Sequence, residues 1–156
     1  MIDKFDTAHM DVARVYSRLS SARRMQVGAI IVKDEKIISI GYNGMPSGWD
    51  NNCEYKVPLP QKEIYADSGV VDMVFRYTLK TKPEVLHAET NALAKVAKST
   101  ESSEGATLYT TCAPCIDCAK LIYQSGITRV VYSERYKDER GLSFLEKCNI
   151  ELDNLS

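Results

Sequence analysis

The stretch ATLYTTCAPCIDCAKLIYQSGITRVVYS, residues 106–133, predicts a strand, a helix and a second strand in immediate succession. Both ends of this stretch are rich in β-branched and aromatic residues, which favour an extended backbone. Between them, Pro114 suits the first turn of a helix, and Gly126 is placed to end that helix. Strands that alternate with helices favour an α/β fold in which these two strands pair in parallel.

The rest of the chain adds a hairpin and further helices. VGAIIVKDEKIISIGYNG contains two β-branched runs around a polar turn, which predicts antiparallel strands at 27–33 and 36–41. Apolar periodicity predicts a helix over residues 3–20, and a composition rich in Ala, Leu and Lys predicts another over 85–98. A last helix over 138–149 and a short strand over 150–155 follow. His9 lies on the apolar stripe of the first helix, and we interpret it as a core or interface histidine.

Composition excludes several classes of protein. The 156 residues are 44% hydrophobic, which suits one domain over residues 1–156. A formal net charge of -1 supplies no overall basic field for a nucleic-acid backbone, so we expect no nucleic-acid polymer as a partner. The first residues lack the apolar core of a signal peptide, and no apolar run approaches the roughly 20 residues of a membrane span. We therefore expect a cytoplasmic protein with no membrane partner.

Residues 43–80 predict an inserted loop and helix. The glycines and prolines of YNGMPSGWDNNCEYKVPLPQ break up any regular element, and a loop of this length is usually functional. Apolar residues then recur at helical spacing, which predicts a helix over 63–79. Gly69 and the preceding Asp67–Ser68 are weak points in that helix.

The cysteines are the first indication of chemistry. Five is an odd number for a disulfide framework, and three of them occur together in TTCAPCIDCAK, residues 110–120, which favours metal binding or catalysis. If Pro114 begins the helix, Cys115 and Cys118 share one helical face, whereas Cys112 lies at the end of the strand. A redox dithiol and a closed structural zinc site with Cys112 as fourth ligand are the alternatives.

A second motif, HAE at residues 87–89, supplies a histidine and a glutamate. Catalytic zinc sites use three protein ligands and keep one position open for water, and His87, Cys115 and Cys118 make three. Residues two apart on a helix point in different directions, so His87 and Glu89 converge only if His87 lies at the helix start, near Pro83–Glu84. Glu89 is then the proton shuttle, and H-x-E…P-C-x-x-C is the known signature of zinc deaminases.

Together these motifs make the chain resemble the cytidine and deoxycytidylate deaminase superfamily, and within it the deoxycytidylate (dCMP) deaminases. The matching motifs are SSARRMQVGA at 20–29, GYNGMPSG at 41–48, HAETNAL at 87–93 and PCIDCAKLIYQSGITRVVY at 114–132. The resemblance implies a three-layer α/β domain with a mixed sheet of about five strands. It also implies hydrolytic deamination of dCMP to dUMP and ammonia, in which a zinc-bound hydroxide attacks C4.

The resemblance further implies the residues that contact the substrate. Arg24 matches an arginine that approaches the 5′-phosphate, and Asn43 matches an asparagine that contacts the sugar. Ala88 is placed among the substrate contacts, and Tyr136–Lys137 falls where family members have Tyr-Arg near the phosphate. Physical chemistry supports this independently, because a nucleotide monophosphate needs one or two local cations. A solvated surface arginine is the alternative for Arg24.

Regulation and assembly are also implied by the resemblance. Family enzymes are commonly activated by dCTP and inhibited by dTTP, and regulated members are typically hexamers. The loop that contributes to the nucleotide site corresponds here to Gly44, Met45, Pro46, Ser47 and Gly48, with Asp50 as a candidate Mg²⁺ ligand. A plain turn is the alternative for this loop. The apolar 50–80 insertion is a candidate subunit interface.

One departure from the family concerns a second, structural zinc that some members carry. Its first cysteine position is Ala22 here, KTKPEVL supplies no histidine ahead of HAE, and only Cys53 remains, so we predict one zinc per chain. Two other functions share the zinc motif. A nucleic-acid deaminase would need a basic groove with stacking aromatic residues, and a non-enzymatic zinc-supported binding module would tolerate loss of Glu89.

Overall fold

A mixed five-stranded sheet organises the protein. The computed structural model describes the backbone over residues 1–66, 69–74 and 76–156, and the side chains over 1–61 and 76–156. The helices are α1 (Lys4–Ser17), α2 (Ala88–Ala97), α3 (Ile116–Gln124) and α4 (Arg140–Lys147). The strands are β1 (Gly28–Lys33), β2 (Lys36–Tyr42), β3 (Glu54–Pro58), β4 (Lys62–Ala66), β5 (Gly69–Val74), β6 (Tyr77–Thr81), β7 (Thr107–Cys112), β8 (Arg129–Glu134) and β9 (Glu151–Asn154).

The order of strands in this sheet is β2-β1-β7-β8-β9. β1 pairs in antiparallel fashion with β2 and with β7, whereas β8 is parallel to both β7 and β9. Asp34 and Glu35, with φ of 48° and 63°, form the tight turn between β1 and β2. The predicted mixed sheet, with a hairpin first and parallel strands later, is confirmed.

Helices cover both faces of the sheet. On one face, α1 packs Met10 and Ala13 against Ile30 and Val131. On the other face, the core contains residues of α2, α3 and α4 together with alternate residues of the strands, among them Ala92, Ile122, Leu145, Ile31 and Val130. Because neighbouring strand residues point to opposite faces and both faces are covered, β1 and β8 are buried along most of their length. The three-layer arrangement is confirmed.

Two glycines allow helices to approach the strands and loops that build the site. A Cβ atom at Gly41, in β2, would meet the carbonyl oxygen of Ala88 and lie 2.7 Å from the amide nitrogen of Ala92. A Cβ atom at Gly141, in α4, would meet the carbonyl oxygen of Pro114 and lie 2.9 Å from the carbonyl carbon of Cys115. Glycine is therefore required at both positions for the starts of α2 and α3 to lie where they do.

The helix predicted over 63–79 is wrong for the residues that the structure describes. That segment contributes to β4, β5 and β6 instead, with β4 paired to β5 and β6 paired to β3 in two small antiparallel sheets. Gly69 and the β-branched residues that follow it favour an extended backbone over a helix. Residues 67, 68 and 75 of the predicted helix lie outside the described residues. Within the described part of the chain, no helix has both the length and the apolar character to cross a membrane.

Candidate active site

His87 lies at the start of α2, as the convergence with Glu89 requires. Its backbone is extended, with φ -78° and ψ 152°, and Ala88 is the first helical residue. The helix therefore begins later than the Pro83–Glu84 signal predicted, because those residues and Val85 form the turn before it. Leaving the helix at His87 frees its imidazole from the angular spacing that separates i and i+2 side chains.

Cys115 has the equivalent position at the start of α3. It precedes the first helical residue, Ile116, with an extended backbone of φ -68° and ψ 169°. Cys118 lies in the first turn of α3 and is buried. Pro114 thus precedes the helix rather than beginning it, but the consequence is the same, because both thiols point toward His87 while Cys112 remains on β7.

The three side chains form a group with the dimensions of a zinc site. Their donor atoms all lie within 4.8 Å of one another. The Nδ1 atom of His87 is 3.3 Å from the Sγ atom of Cys118 and 3.6 Å from that of Cys115. Tetrahedral bonds of about 2.3 Å to sulfur and about 2.05 Å to nitrogen would separate these donors by about 3.6 Å. The residues therefore fit Zn²⁺ with one coordination position left for a non-protein ligand.

The ionisation of these groups agrees with a cation site. A hydrogen bond from Cys118 lowers the pKa of the Cys115 thiol to about 4, and His87 adds to the effect against the opposing effect of burial. The same hydrogen bond, together with burial, raises the pKa of Cys118. The pKa of His87 is also raised, chiefly by its hydrogen bond with Cys115. Cys115 is thus the more readily ionised of the two thiols, and a bound cation would favour the thiolate form of both.

Glu89 lies in the first turn of α2, deep beside this group. Only 4% of the residue is exposed, and the Sγ atom of Cys118 lies 3.8 Å from its Oε2 atom. Burial raises the pKa of Glu89, because an ionised carboxylate loses its hydration there. A raised pKa makes the carboxyl group hold a proton more readily, which suits a group that must both accept and return protons.

Cys112 lies near these residues without joining them. It is buried at the end of β7, and burial raises the pKa of its thiol to about 12. In the described residues, the group with metal-binding spacing contains His87, Cys115 and Cys118 but not Cys112. Because Cys112 lies outside that group, its placement counts against a closed site with Cys112 as fourth ligand.

A pocket of about 370 Å³ opens onto the three candidate ligands. Its volume is within the range of small-molecule sites in proteins. It brings together most residues predicted from the sequence, namely Arg24, Asn43, His87, Ala88, Glu89, Cys115, Tyr136 and Lys137. Cys118 lies beneath the lining, in contact with His87.

Among the lining residues that the sequence did not predict, two are charged and one carries a hydroxyl group. Arg135 lies beside the predicted Tyr136–Lys137 pair and forms an ion pair of 2.8 Å with Glu139. Glu54 and Thr81 come from β3 and β6 of the small sheet. Proximity to the Tyr136–Lys137 motif could have indicated Arg135, but no local pattern marks Glu54 or Thr81.

Asn43 supports the pocket wall as well as lining it. Its side-chain oxygen accepts the N–H of Val27 at 2.8 Å, and its side-chain nitrogen donates to the carbonyl of Met25 at 2.9 Å. These bonds join the end of β2 to the segment that carries Arg24. An amide nitrogen has a second N–H, so Asn43 retains one donor for a ligand.

The loop predicted to bind a regulatory nucleotide lies beside the pocket rather than in it. Gly44, Met45, Pro46, Ser47, Gly48 and Asp50 are absent from the described lining. Gly44 nevertheless exchanges two backbone hydrogen bonds with Leu86, of 3.0 and 2.8 Å, and Leu86 precedes His87. Asp50 accepts the N–H of Asn52 within its own turn, and nothing in these contacts supports a Mg²⁺ site.

The structure also shows the surroundings of two other residues considered from the sequence, Cys53 and His9. Cys53 packs with Ala22 and Val85 in a small apolar cluster, at the positions compared above with the second zinc of some family members. His9 is half-buried and contacts Tyr109 with ring centroids 5.0 Å apart, on the face covered by α1, and its interpretation as a core or interface histidine stays a prediction.

Comparison with known proteins agrees with this geometry. Residues 3–134 match the cytidine and deoxycytidylate deaminase zinc-binding region. This chain belongs to that family. Like its relatives, it is a deaminase. A deoxycytidylate deaminase of Enterobacteria phage T4 is 36% identical over 94% of this chain and 87% of its own length. A human deoxycytidylate deaminase is 38% identical over 83% of this chain and 65% of its own length.

A solved structure of the family matches the whole chain. The dCMP deaminase from the cyanophage S-TIM5, crystallised in complex with dCMP and dUMP, is 37% identical and superposes with a TM-score of 0.82. The match covers 99% of both chains. The fold and the family of this deaminase are therefore established together.

Proposed function

We propose that this deaminase converts dCMP and water to dUMP and ammonia. The observation that carries the proposal is one pocket whose lining includes both Glu89 with the candidate zinc ligands His87 and Cys115 and the cations Arg24, Arg135 and Lys137. A cytosine ring would lie at the base, and its 5′-phosphate would face the cations. The dCMP deaminases among the relatives support this choice of substrate.

His87, Cys115 and Cys118 would hold the zinc ion, whose chemistry is to lower the pKa of water and so provide a nucleophile for C4 of cytosine. Glu89 accepts a proton from the attacking water and delivers protons to ring nitrogen N3 and to the departing amino group. Its burial matters here, because a dry surrounding strengthens each hydrogen bond that it makes to the substrate. Loss of ammonia then leaves the 4-oxo ring of dUMP.

The phosphate end of the pocket supplies substrate selectivity. Arg24 donates to the hydroxyl of Thr81 at 3.1 Å, which leaves most of its guanidinium N–H groups for another partner. An arginine can donate two parallel hydrogen bonds to a phosphate, which favours a nucleotide over a nucleoside. The net charge of the chain is -1, so this positive charge is local.

The test compares dCMP with deoxycytidine as substrates of the zinc-loaded protein. Arg24→Ala should raise KM for dCMP about 10- to 100-fold, the equivalent of one or two charge-assisted hydrogen bonds. Turnover of deoxycytidine should change by less than about twofold, because that substrate has no phosphate. Arg18→Ala, which removes an exposed arginine outside the pocket lining, is the matched control. Equal effects of Arg24→Ala on both substrates would remove the phosphate role.

We further propose that dCTP activates the enzyme and dTTP inhibits it through the 44–48 loop. The paired hydrogen bonds between Gly44 and Leu86 support this, because they connect that loop to the residue before His87. Turnover of dCMP should be measured over a range of substrate concentration with each triphosphate. Sigmoidal curves that dCTP straightens would support regulation, and indifference to both triphosphates would leave the loop as structure only.

We also propose that the protein forms a homo-oligomer, in particular a hexamer. Aromatic and aliphatic side chains are exposed within and before the predicted 50–80 interface, including Trp49, Tyr55, Val57 and Tyr77. Light scattering coupled to gel filtration would give the mass of the assembly directly. One zinc per chain by metal analysis is the companion expectation, and two per chain would contradict it.

A further inference from the structure

Glu54 is a buried carboxylate that the catalytic chemistry does not use. It is the first residue of β3, only 2% exposed, and it lines the same pocket as Arg24. One oxygen, Oε1, accepts the backbone N–H of Arg23 at 2.8 Å and that of Arg24 at 3.1 Å. The other oxygen, Oε2, is 3.4 Å from Nε of Arg23. Glu54 therefore holds the backbone from which Arg24 extends.

These donors keep Glu54 in its charged form. Burial alone would raise the pKa of Glu54, but the N–H groups of Arg24 and Arg23 and the guanidinium of Arg23 together hold that pKa below its ordinary value. A buried carboxylate with such partners is costly to leave half-satisfied. The Arg23–Arg24 backbone is thus fixed against the small sheet.

Thr81 holds the other end of the same arginine. β3 and β6 are antiparallel, and Glu54 and Thr81 are direct partners in their register. The hydroxyl of Thr81 accepts a hydrogen bond of 3.1 Å from Nη1 of Arg24. One pair of facing residues therefore contacts both the main chain and the guanidinium of Arg24.

We propose that the Glu54–Thr81 pair positions Arg24 for the substrate phosphate, and that the small β3–β6 sheet thereby determines the preference for nucleotides over nucleosides. This inference rests on the proposed function, since it assigns a supporting role to residues outside the chemistry. An exposed arginine loses much rotamer freedom when it binds an anion. Holding it in place beforehand reduces that loss and increases affinity for the phosphate.

The central test uses Thr81→Val, which removes the hydroxyl and keeps the shape of the side chain. KM for dCMP should rise about three- to tenfold, the equivalent of one lost hydrogen bond, and kcat should stay within about twofold of the parent value. The kcat/KM for deoxycytidine should not change. Thr78→Val, on the same strand and exposed, is the matched control and should leave both substrates unaffected.

Two variants of Glu54 test its contact with the backbone of Arg23 and Arg24. Glu54→Gln keeps an oxygen that can accept the two N–H groups, whereas Glu54→Ala removes it. KM for dCMP should therefore rise more for Glu54→Ala than for Glu54→Gln. If Glu54 contacted the sugar directly, KM for deoxycytidine would rise in parallel, and that result would overturn the positioning role.

A double-mutant cycle separates this role from general support of the fold. In an Arg24→Ala background, Thr81→Val should have no further effect on KM for dCMP, because the hydroxyl acts through the guanidinium. Independent, multiplied effects would overturn the inference. If the parent protein does not deaminate dCMP, the proposed function fails. If it does, and Thr81→Val matches the parent on both substrates, only the positioning role fails.

Discussion

Two carboxylates in this protein have nearly the same local setting and opposite chemistry. Asp6 lies in the first turn of α1 and is 3% exposed, and Glu89 lies in the first turn of α2 and is 4% exposed. Asp6 accepts hydrogen bonds from Arg129 at 2.8 Å, from the Tyr109 hydroxyl at 2.7 Å and from the backbone N–H of Asp3, the N-cap residue of α1, at 2.9 Å. Glu89 has a cysteine sulfur at 3.8 Å as its side-chain partner.

The difference in partners sets the difference in role. Arg129, with the Tyr109 hydroxyl, holds the pKa of Asp6 well below its ordinary value against the effect of burial. Burial dominates at Glu89 and raises its pKa. A carboxylate that stays ionised throughout can hold elements together but cannot exchange protons. Burial alone therefore does not identify a catalytic acid. The more informative difference, among the described residues, is that Asp6 forms an ion pair with an arginine and Glu89 forms none with an arginine or lysine.

The largest effect should come from the metal ligands below Glu89. Cys118→Ser should remove both zinc and activity, because a serine hydroxyl is a weak zinc ligand. Cys112→Ser, a matched change six residues earlier, should leave zinc and most activity in place. Metal analysis and dCMP turnover on the same samples check both. Loss of zinc from Cys112→Ser would mean that the site has four cysteine and histidine ligands.

The next effect is on stability, at Asp6. Asp6→Asn should lower the free energy of unfolding by about 3 kcal/mol, since it leaves a partly buried Arg129 with one fewer carboxylate. The loss is limited because Arg129 keeps its 2.7 Å ion pair with Asp153. Urea denaturation measures it, with Asp11→Asn, at an exposed pair on the same helix, as the control. A change below about 1 kcal/mol would show that Asp6 behaves as a surface ion pair does.

A change in the packing of α4 should affect the candidate zinc site. Gly141→Ala places a Cβ atom against the carbonyl of Pro114 and 2.9 Å from the backbone of Cys115, so it should displace a zinc ligand. We expect a loss of about 2 kcal/mol, typical of overpacking, together with weaker zinc binding. Gly105→Ala, where a Cβ would meet no atom within 4 Å, controls for loss of glycine, although its φ of 75° adds strain of its own. Zinc affinity unchanged by Gly141→Ala would contradict this link.

The smallest effect should be the pH dependence of the stability that Asp6 contributes. Because the folded pKa of Asp6 is depressed below 3.8, its contribution to stability is complete above that value and is lost as the pH falls toward the folded pKa. The stability difference between the parent protein and Asp6→Asn should therefore be constant from about pH 5 to 7 and shrink below about pH 4. Unfolding at a series of pH values checks this, and a difference that persists unchanged at pH 2 would contradict it.

Much of the fold and site could be predicted from local patterns. The strand–helix–strand stretch 106–133 and the hairpin were predicted because buried strands and a capped helix leave short-range signals. His87, Glu89, Cys115 and Cys118 were found because helix starts concentrate these ligand types at fixed spacings. The convergence of two helix N-termini then follows from the fold.

The remainder depended on contacts between distant residues. The 63–79 segment has apolar residues at spacings that a helix also uses. Its strands pair instead, β5 with the neighbouring β4 and β6 with β3, which lies outside the segment. Glu54 contacts a backbone about thirty residues away, so no local pattern predicts its role. Asn43 was predicted as a sugar contact, and its bonds to Val27 and Met25 became visible only in the structure.

The most direct test of the account compares turnover of dCMP by zinc-loaded Glu89→Gln and Asp6→Asn, at a temperature where both are folded. Glu89→Gln should keep its zinc and its fold and lose kcat by about 10²- to 10⁴-fold, the contribution of a general acid and base. Asp6→Asn should remain within about threefold of the parent protein in kcat. If Glu89→Gln kept most of its rate, or if Asp6→Asn lost as much, the assignment of proton transfer to Glu89 would be wrong.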